Sequence, residues 1–173
     1  MSGLQCAVDG KFPTVISETV KDAAINTFAS ILGAAPSYLA DGREEAPCAG
    51  VVGVLSFAGE LPWSFALVLP EPTAALMAKK FAGFDIPFDS PDMGDVVGEL
   101  ANVLAGDIAA KLDARGFKAH MSLPMVTRGH EVELLQASGQ KSTRMGFASS
   151  EGTFWFKLVT AKQGQHLGRR PGT

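Results

Sequence analysis

Hydrophobic residues recur at helical spacing in three parts of the chain. The first part spans Thr14 to Leu32 and stops before Gly33, a residue type common at helix ends. A shorter apolar pattern follows Pro72, passes through Thr73 to Phe81 and stops at Gly83. The spacing predicts a long first helix and a short second helix.

The third helical pattern is the longest. Ser90 and Pro91 are the residue types favoured at the N-cap and at the first position of a helix. Aspartates stand in the first turn, where a carboxylate suits the helix dipole. The pattern predicts a helix from Pro91 to about Arg115, ended by Gly116.

Apolar runs separated by turn residues predict β-strands elsewhere. Gly50 to Phe57 and Leu61 to Leu69, joined by the turn at 58–60, are typical of a hairpin. Further strands are predicted at Phe117–Val126, Glu131–Ala137, Arg144–Ser149 and Thr153–Thr160, with turns at 127–129, 138–140 and 151–152. The sequence therefore predicts an α+β fold, in which two long helices and a short one pack on an antiparallel-dominated β-sheet.

Length and composition limit the domain organisation and the class of function. The 173 residues suit one domain, for which we expect residues 1–162, followed by a disordered tail at 163–173 that lacks an apolar pattern. The charged loop at 41–47 is expected to be solvated. A net charge of −3 without a basic stripe argues against binding to nucleic acid, which depends on Lys and Arg at phosphates.

The cysteines and the hydropathy of the chain indicate which metal sites, disulfides and cellular locations to expect. Cys6 and Cys48 stand far apart and form no Cys-x-x-Cys pair, so neither a disulfide framework nor a zinc site is indicated. The N-terminus lacks a basic start and a sustained apolar run, and no stretch reaches the roughly 18 apolar residues of a membrane span. We therefore expect a cytoplasmic protein with no membrane partner, no metal and no bound cofactor.

The third predicted helix has two distinct faces. At 100° per residue one face is apolar, which makes it the core side. The opposite face carries Asp95, Glu99 and Asn102, and it continues into Gly106 and Ala109, which have almost no side chain. Because small residues let another backbone approach closely, this face is suited to meeting another protein.

The spacing alone leaves a plainer interpretation open. Asp95, Glu99 and Asn102 could be ordinary solvent-facing residues of an amphipathic helix, since Glu-x-x-Asn occurs often by chance. Glycoside hydrolysis by the two carboxylates is a poor alternative, because neighbours on one helix face cannot flank a sugar from opposite sides.

The residues that decide between these interpretations extend beyond the helix. The pattern Asp95-x-x-x-Glu99-x-x-Asn102, followed by Gly106 and by Pro124 in the next strand, resembles the signature of the CheC, CheX and FliY phosphatases of bacterial chemotaxis. The order of elements is most similar to CheX, and the resemblance extends to Ala161. It implies a CheX-like or CheC-like fold.

The resemblance also implies an activity and a partner. Such proteins remove phosphate from the phospho-aspartate of a CheY-like response-regulator receiver. Asn102 matches the residue that orients the attacking water, and Glu99 matches the residue that pairs with the regulator's lysine. Asp95, Gly106 and Pro124 match supporting or partner-docking positions. Mg²⁺ is expected in the receiver's active site, and a homodimer is plausible.

Some residues depart from the family pattern. Relatives with a second site carry Glu-x-x-Asn on the first helix, but here Glu18 is followed at +3 by Lys21, and Asp22 by Ile25. The resemblance therefore predicts one site. Asp107 falls on the apolar side of the third helix, and either an ion pair with Lys111 or a dimer contact would explain it.

The remaining polar and aromatic candidates favour structural roles. His120, His130 and His166 are scattered, and Trp63 and Trp155 lie in predicted strands. Pro124 could simply end a strand. Two rival functions stay open: a non-catalytic adaptor that binds a receiver or a flagellar-switch-like partner, and a small-molecule sensor, for which no polar constellation is present.

Overall fold

Three helices and seven strands make up the computed structural model, which describes residues 12–39 and 48–161. The helices are α1 (Thr14–Leu32), α2 (Glu71–Ala82) and α3 (Pro91–Ala114). The strands are β1 (Ser37–Leu39), β2 (Cys48–Gly59), β3 (Trp63–Pro70), β4 (Ala119–Met121), β5 (Met125–Val132), β6 (Ser142–Ser149) and β7 (Gly152–Thr160). The predicted α+β fold class is confirmed.

All seven strands belong to one antiparallel sheet. Its order is β1-β6-β7-β3-β2-β4, and β5 also pairs with β2, so that β4 and β5 follow each other along the same edge. The hairpin of β2 and β3 is in register from Gly50 opposite Pro70 to Phe57 opposite Trp63. This hairpin lies inside the sheet, between β7 on one side and β4 and β5 on the other, and it supports the helices.

The helices cover one face of the sheet and form the main core with it. Alternate residues of β2, namely Val51, Leu55 and Phe57, are buried on this face together with the apolar sides of α1 and α3. The opposite face holds a smaller cluster in which Val52, Ala66 and Val68 are buried. Because the large apolar cluster lies on one face only, α3 has one side against the sheet and one side toward solvent.

The helix ends follow the chemistry predicted from the sequence. α1 has the predicted bounds, and Gly33 follows it in the left-handed region at φ 79°. Gly83 ends α2 in the same way at φ 86°, with its N–H bonded to the carbonyl of Lys79. Glycine is needed at both positions because other residues rarely adopt a positive φ.

Several strand boundaries differ from the prediction. The turn of the hairpin lies at residues 60–62 instead of 58–60, because Gly59 still pairs with Ala119 of β4. The predicted strand at 117–126 is two strands, and the predicted turn at 127–129 lies inside β5. There Arg128 pairs with Val51, so pairing with a distant strand overrides the local turn propensity.

Other predicted segments are shorter than expected or lie outside the described residues. Only the first two residues of the predicted strand at 131–137 belong to a strand. β1 was not predicted, because three residues are too few to show alternation. The loop at 41–47, the tail at 163–173, Cys6 and His166 lie outside the described residues.

Candidate functional site

The start of α3 is fixed by its own cap and by a side chain from β5. The Ser90 hydroxyl accepts a hydrogen bond of 3.0 Å from the N–H of Asp92, which confirms the predicted N-cap. Arg128 donates from Nη1 to the carbonyl oxygens of Phe88 and Ser90, each at 2.8 Å. The N-terminus of α3 is therefore tied to the edge strand as well as capped.

The three polar residues predicted on one face of α3 share its outer side. Asp95 and Glu99 are exposed and Asn102 is half-buried. Their neighbours on the inner side are Met93, Val97, Leu100, Leu104 and Ile108, which are all buried. The amphipathic pattern thus placed these side chains correctly, and we call Asp95, Glu99 and Asn102 the polar row.

The polar row is not used for internal bonding. Within residues 12–39 and 48–161, no hydrogen bond or ion pair engages the side chains of Asp95, Glu99 or Asn102. From Pro91 to Gly106 the helix also carries no Lys or Arg. The two carboxylates and the amide therefore face solvent with their hydrogen-bonding capacity intact.

Asp107 behaves differently from the row. Its Oδ2 accepts a hydrogen bond of 3.2 Å from the hydroxyl of Thr27 on α1. Its Oδ1 lies 3.7 Å from the Nζ of Lys111, one turn later on α3. Asp107 thus holds α3 against α1, and the ion pair explains a carboxylate on the inner side.

Pro124 lies close to Gly98, the residue that precedes Glu99 of the polar row. A Cβ atom added to Gly98 would stand 3.8 Å from Cγ of Pro124 and 3.4 Å from Cγ2 of Val126. Gly98 is buried, and the next residue is the exposed Glu99. The proline that the sequence singled out and the polar row are therefore parts of one surface.

A β-bulge between β4 and β5 brings Pro124 to this position. The N–H of Ser122 donates to the carbonyl of Ser56 at 2.8 Å, whereas Met125 pairs with Val54. Leu123 and Pro124 therefore stand together opposite the single residue Leu55. A bulge bends the strand and changes where its side chains point, and it is a usual place for proline in a sheet.

Pro124 lies on the helix side of the sheet. Leu55, which stands opposite it, is buried on that face, and Pro124 lies beside Gly98 of α3. Leu123 directly precedes Pro124 and is 87% exposed, so its side chain stands in solvent at the edge of the sheet.

The sequence did not single out Gly53, which lets α3 approach the sheet. A Cβ atom added to Gly53 would lie 3.1 Å from Cβ of Ala101, the residue before Asn102. A glycine within a strand is a signal for such a close approach, but it does not identify the partner. Gly106, which the sequence did single out, has no atom within 4 Å of an added Cβ and faces open space.

The other candidate residues take structural or surface positions. Trp63 is buried and stacks on Phe57 with ring centroids 4.3 Å apart. Trp155 is half-buried beneath the guanidinium of Arg144, and His120 and His130 are exposed. None of these side chains lies on α3.

Two further properties of the described residues bear on the class of protein. No group of three or more His, Cys, Asp or Glu side chains in this part of the chain is placed to hold a metal ion. Among the helices described, none is both long enough and apolar enough to span a bilayer.

Comparison with known proteins identifies a family. The family model of the chemotaxis phosphatase CheX matches residues 51–148, a segment that contains the polar row and Pro124. No curated protein is significantly similar to the chain in sequence.

Several solved structures share the fold. A CheC-like superfamily protein from Shewanella sp. PV-4 has a TM-score of 0.77 at 19% identity, covering 87% of this chain and 99% of that one. Chemotaxis protein CheX from Vibrio vulnificus has a TM-score of 0.75 at 18% identity, covering 84% and 99%. The CheX-CheY-BeF3-Mg²⁺ complex from Borrelia burgdorferi has a TM-score of 0.70 at 19% identity, covering 86% and 98%.

Proposed function

The chain belongs to the CheX family of chemotaxis phosphatases, and on this premise we propose that it hydrolyses the aspartyl phosphate of a CheY-like receiver domain. The observation that carries the proposal is the polar row on the outer side of α3, with Asp95 and Glu99 exposed, Asn102 half-buried and all three free of internal bonds. The complex of CheX with CheY from Borrelia burgdorferi, a protein of the same fold, supports a receiver as the partner.

The proposed hydrolysis requires no covalent bond between this chain and the phosphoryl group. A water oxygen bonds to phosphorus while the bond from phosphorus to the aspartyl oxygen breaks, giving a free carboxylate, inorganic phosphate and a proton released to solvent. Phosphoryl transfer of this kind needs in-line alignment and charge neutralisation. The receiver would hold the phosphorylated aspartate, a lysine and Mg²⁺, so no metal or nucleophile is required on α3.

Asn102 is the residue we assign to the attacking water. Its amide both donates and accepts a hydrogen bond, so one side chain can fix the orientation of one water molecule without changing its own charge. The half-buried position restricts the motion of this side chain more than full exposure would. Positioning of this kind can contribute several kcal/mol to lowering the barrier, about 7–11 kcal/mol at its upper range.

Glu99 is the residue we assign to docking against the receiver's lysine. It lies three residues before Asn102, and residues at this spacing neighbour each other on a helix. An ion pair made by Glu99 would therefore set the register in which Asn102 meets the phosphorus. Asp95 adds a second carboxylate one turn earlier and supports docking, while Gly106 leaves space for the partner.

The first helix supplies no second site in this proposal. Glu18 is exposed on α1, but Lys21 stands where a second asparagine would be, and its Nζ lies 4.1 Å from the centroid of the Tyr38 ring. We propose one active surface per chain, a cytoplasmic location, signal termination in chemotaxis or two-component signalling, and assembly as a homodimer.

The test of the function is direct. The purified protein is mixed with phosphorylated CheY-like receivers and Mg²⁺, and the loss of phosphate is followed against each receiver alone. Acceleration with at least one receiver supports the proposal. Tight binding to a phosphorylated receiver without acceleration would instead identify a non-catalytic adaptor.

A further inference from the structure

Some of the exposed apolar side chains of the described residues lie on α3 and on the sheet edge that contacts it. Nine large hydrophobic residues are more than a third exposed, and they include Val103 on α3 together with Met121, Leu123 and Met125 on the edge of β4 and β5. Val103 follows Asn102 directly and is 41% exposed. Single exposed apolar residues are common, but a group beside a polar row indicates an interaction surface.

The exposed apolar side chains of this edge do not all lie on the same face of the sheet. Met125 pairs with Val54, which belongs to the cluster on the face opposite the helices, so Met125 lies on the other face of the sheet. Pro124 lies beside Gly98 of α3, and Leu123 precedes it directly. Pro124 beside Gly98 and Val103 beside Asn102 therefore stand next to the polar row, and Leu123 extends from the same edge into solvent.

The bulge also affects which kind of partner can bind at this edge of the sheet. A second copy of this chain that joined this edge of the sheet by strand pairing would continue the backbone ladder of β4 and β5. At the bulge the ladder is interrupted, and Pro124 has no N–H to donate. Bulges and prolines are features that discourage strand pairing at edges, so Leu123 is available for side-chain contact instead.

The charge of the surface complements a receiver's active site. Asp92, Asp95 and Glu99 are exposed, and α3 carries no Lys or Arg from Pro91 to Gly106, while Arg128 of β5 lies at the N-terminal end of the helix. In a receiver that holds a phosphorylated aspartate, Mg²⁺ and a lysine, the phosphoryl group offsets the charge of Mg²⁺, and the lysine is the cation with which an exposed carboxylate can pair. The charges set orientation, while an apolar side chain that fills a pocket of the partner supplies affinity.

We infer that the docking surface has two elements, the polar row of α3 and the bulge of Leu123 and Pro124, and that Leu123 is its apolar anchor for the receiver. This inference rests on the proposed function for its partner. Gly98 allows α3 and the bulge to come into contact, and Gly53 allows α3 to pack close to the sheet. Both glycines therefore help to set the position of α3 relative to the bulge.

The test compares two leucines of nearly equal exposure. Leu123→Ser removes the anchor, while Leu135→Ser makes the same change at a residue that is 84% exposed and lies outside both elements. With a receiver that the wild-type protein dephosphorylates, Leu123→Ser should raise KM on the order of 10-fold with kcat unchanged. Leu135→Ser should leave both constants unchanged.

Two measurements that do not depend on turnover complete the test. Calorimetric titration with a receiver carrying beryllofluoride and Mg²⁺ should show the same loss of affinity for Leu123→Ser. Analytical ultracentrifugation should show the oligomeric state unchanged. Altered association with unchanged receiver affinity would assign Leu123 to a contact between copies and overturn the inference, as would equal behaviour of the two variants.

The outcomes also separate this inference from the function. If the wild-type protein binds a receiver without hydrolysis, the phosphatase proposal fails, while weaker binding by Leu123→Ser still supports the docking surface. If the wild-type protein hydrolyses the phosphate normally and Leu123→Ser binds and turns over the receiver as the wild type does, the phosphatase proposal stands and the docking surface fails. A wild-type protein that binds no receiver overturns both.

Discussion

Gly53 of β2 and Ala101 of α3 are in such close contact that a methyl group on Gly53 would stand 3.1 Å from Cβ of Ala101. Ala101 is buried and directly precedes Asn102. The packing of a central strand therefore determines how far the polar row stands from the sheet.

Gly53→Ala should lower the free energy of unfolding by about 1–3 kcal/mol, because an added methyl group overpacks a filled contact. Ala101→Gly in the same chain removes the opposing methyl group and should recover part of the loss, although glycine in a helix costs roughly 1 kcal/mol by itself. Urea denaturation of both single variants and the double variant measures the coupling. Additive effects would show that the two positions are not in contact.

Asn102→Ala should slow phosphate release on the order of 100-fold, because the attacking water loses its positioning group. Asn102→Asp should also be slow, since a carboxylate keeps the shape but cannot donate a hydrogen bond. Both variants should keep the melting temperature of the wild-type protein, because no described side chain bonds to Asn102. Wild-type turnover in Asn102→Ala would contradict the role assigned to this residue.

Glu99→Gln should weaken docking by about 5- to 10-fold in KM at low ionic strength, because it removes the charge and keeps the size of the side chain. The difference from wild type should shrink as salt is added, since exposed charges are screened. Glu60→Gln is the matched control, as Glu60 is exposed at the hairpin turn and, on the side of α3, lies near Leu112, outside the polar row. A salt-independent effect would argue against an ion pair.

Ser90→Ala should cost about 1 kcal/mol of stability, because the N–H of Asp92 loses its side-chain acceptor. Ser90→Asp should restore most of that loss, since aspartate is an equally good N-cap. Thermal unfolding monitored by circular dichroism distinguishes the two variants. Equal losses would show that the hydroxyl itself, and not capping, is what the site requires.

The sequence predicted the parts of this molecule that depend on local chemistry. The bounds of α1 and the cap at Ser90 follow from periodicity and from residue preferences at helix ends. The outward direction of Asp95, Glu99 and Asn102 follows from the position of the apolar residues on the same helix. These predictions needed no knowledge of distant contacts.

Distant contacts explain what the sequence did not predict. Arg128 was expected in a turn, and only its pairing with Val51, far away in the chain, makes it part of a strand. The bulge at Pro124 is visible only when the registers of β4 and β5 on β2 are compared. The role of Asp107 was left between an ion pair and a dimer contact, and Thr27 on α1 is a partner that spacing on α3 could not reveal.

The double attachment of β5 to α3 has a consequence for local unfolding. Arg128 holds the carbonyl of Ser90, and Val126 lies beside Gly98, so the edge strand is joined to the N-terminal part of the helix at two points. An edge strand would otherwise be among the first segments to open. Amide protons of β5 and of the beginning of α3 should therefore exchange with solvent as one cooperative unit, and the protein should lose its docking surface in a single step.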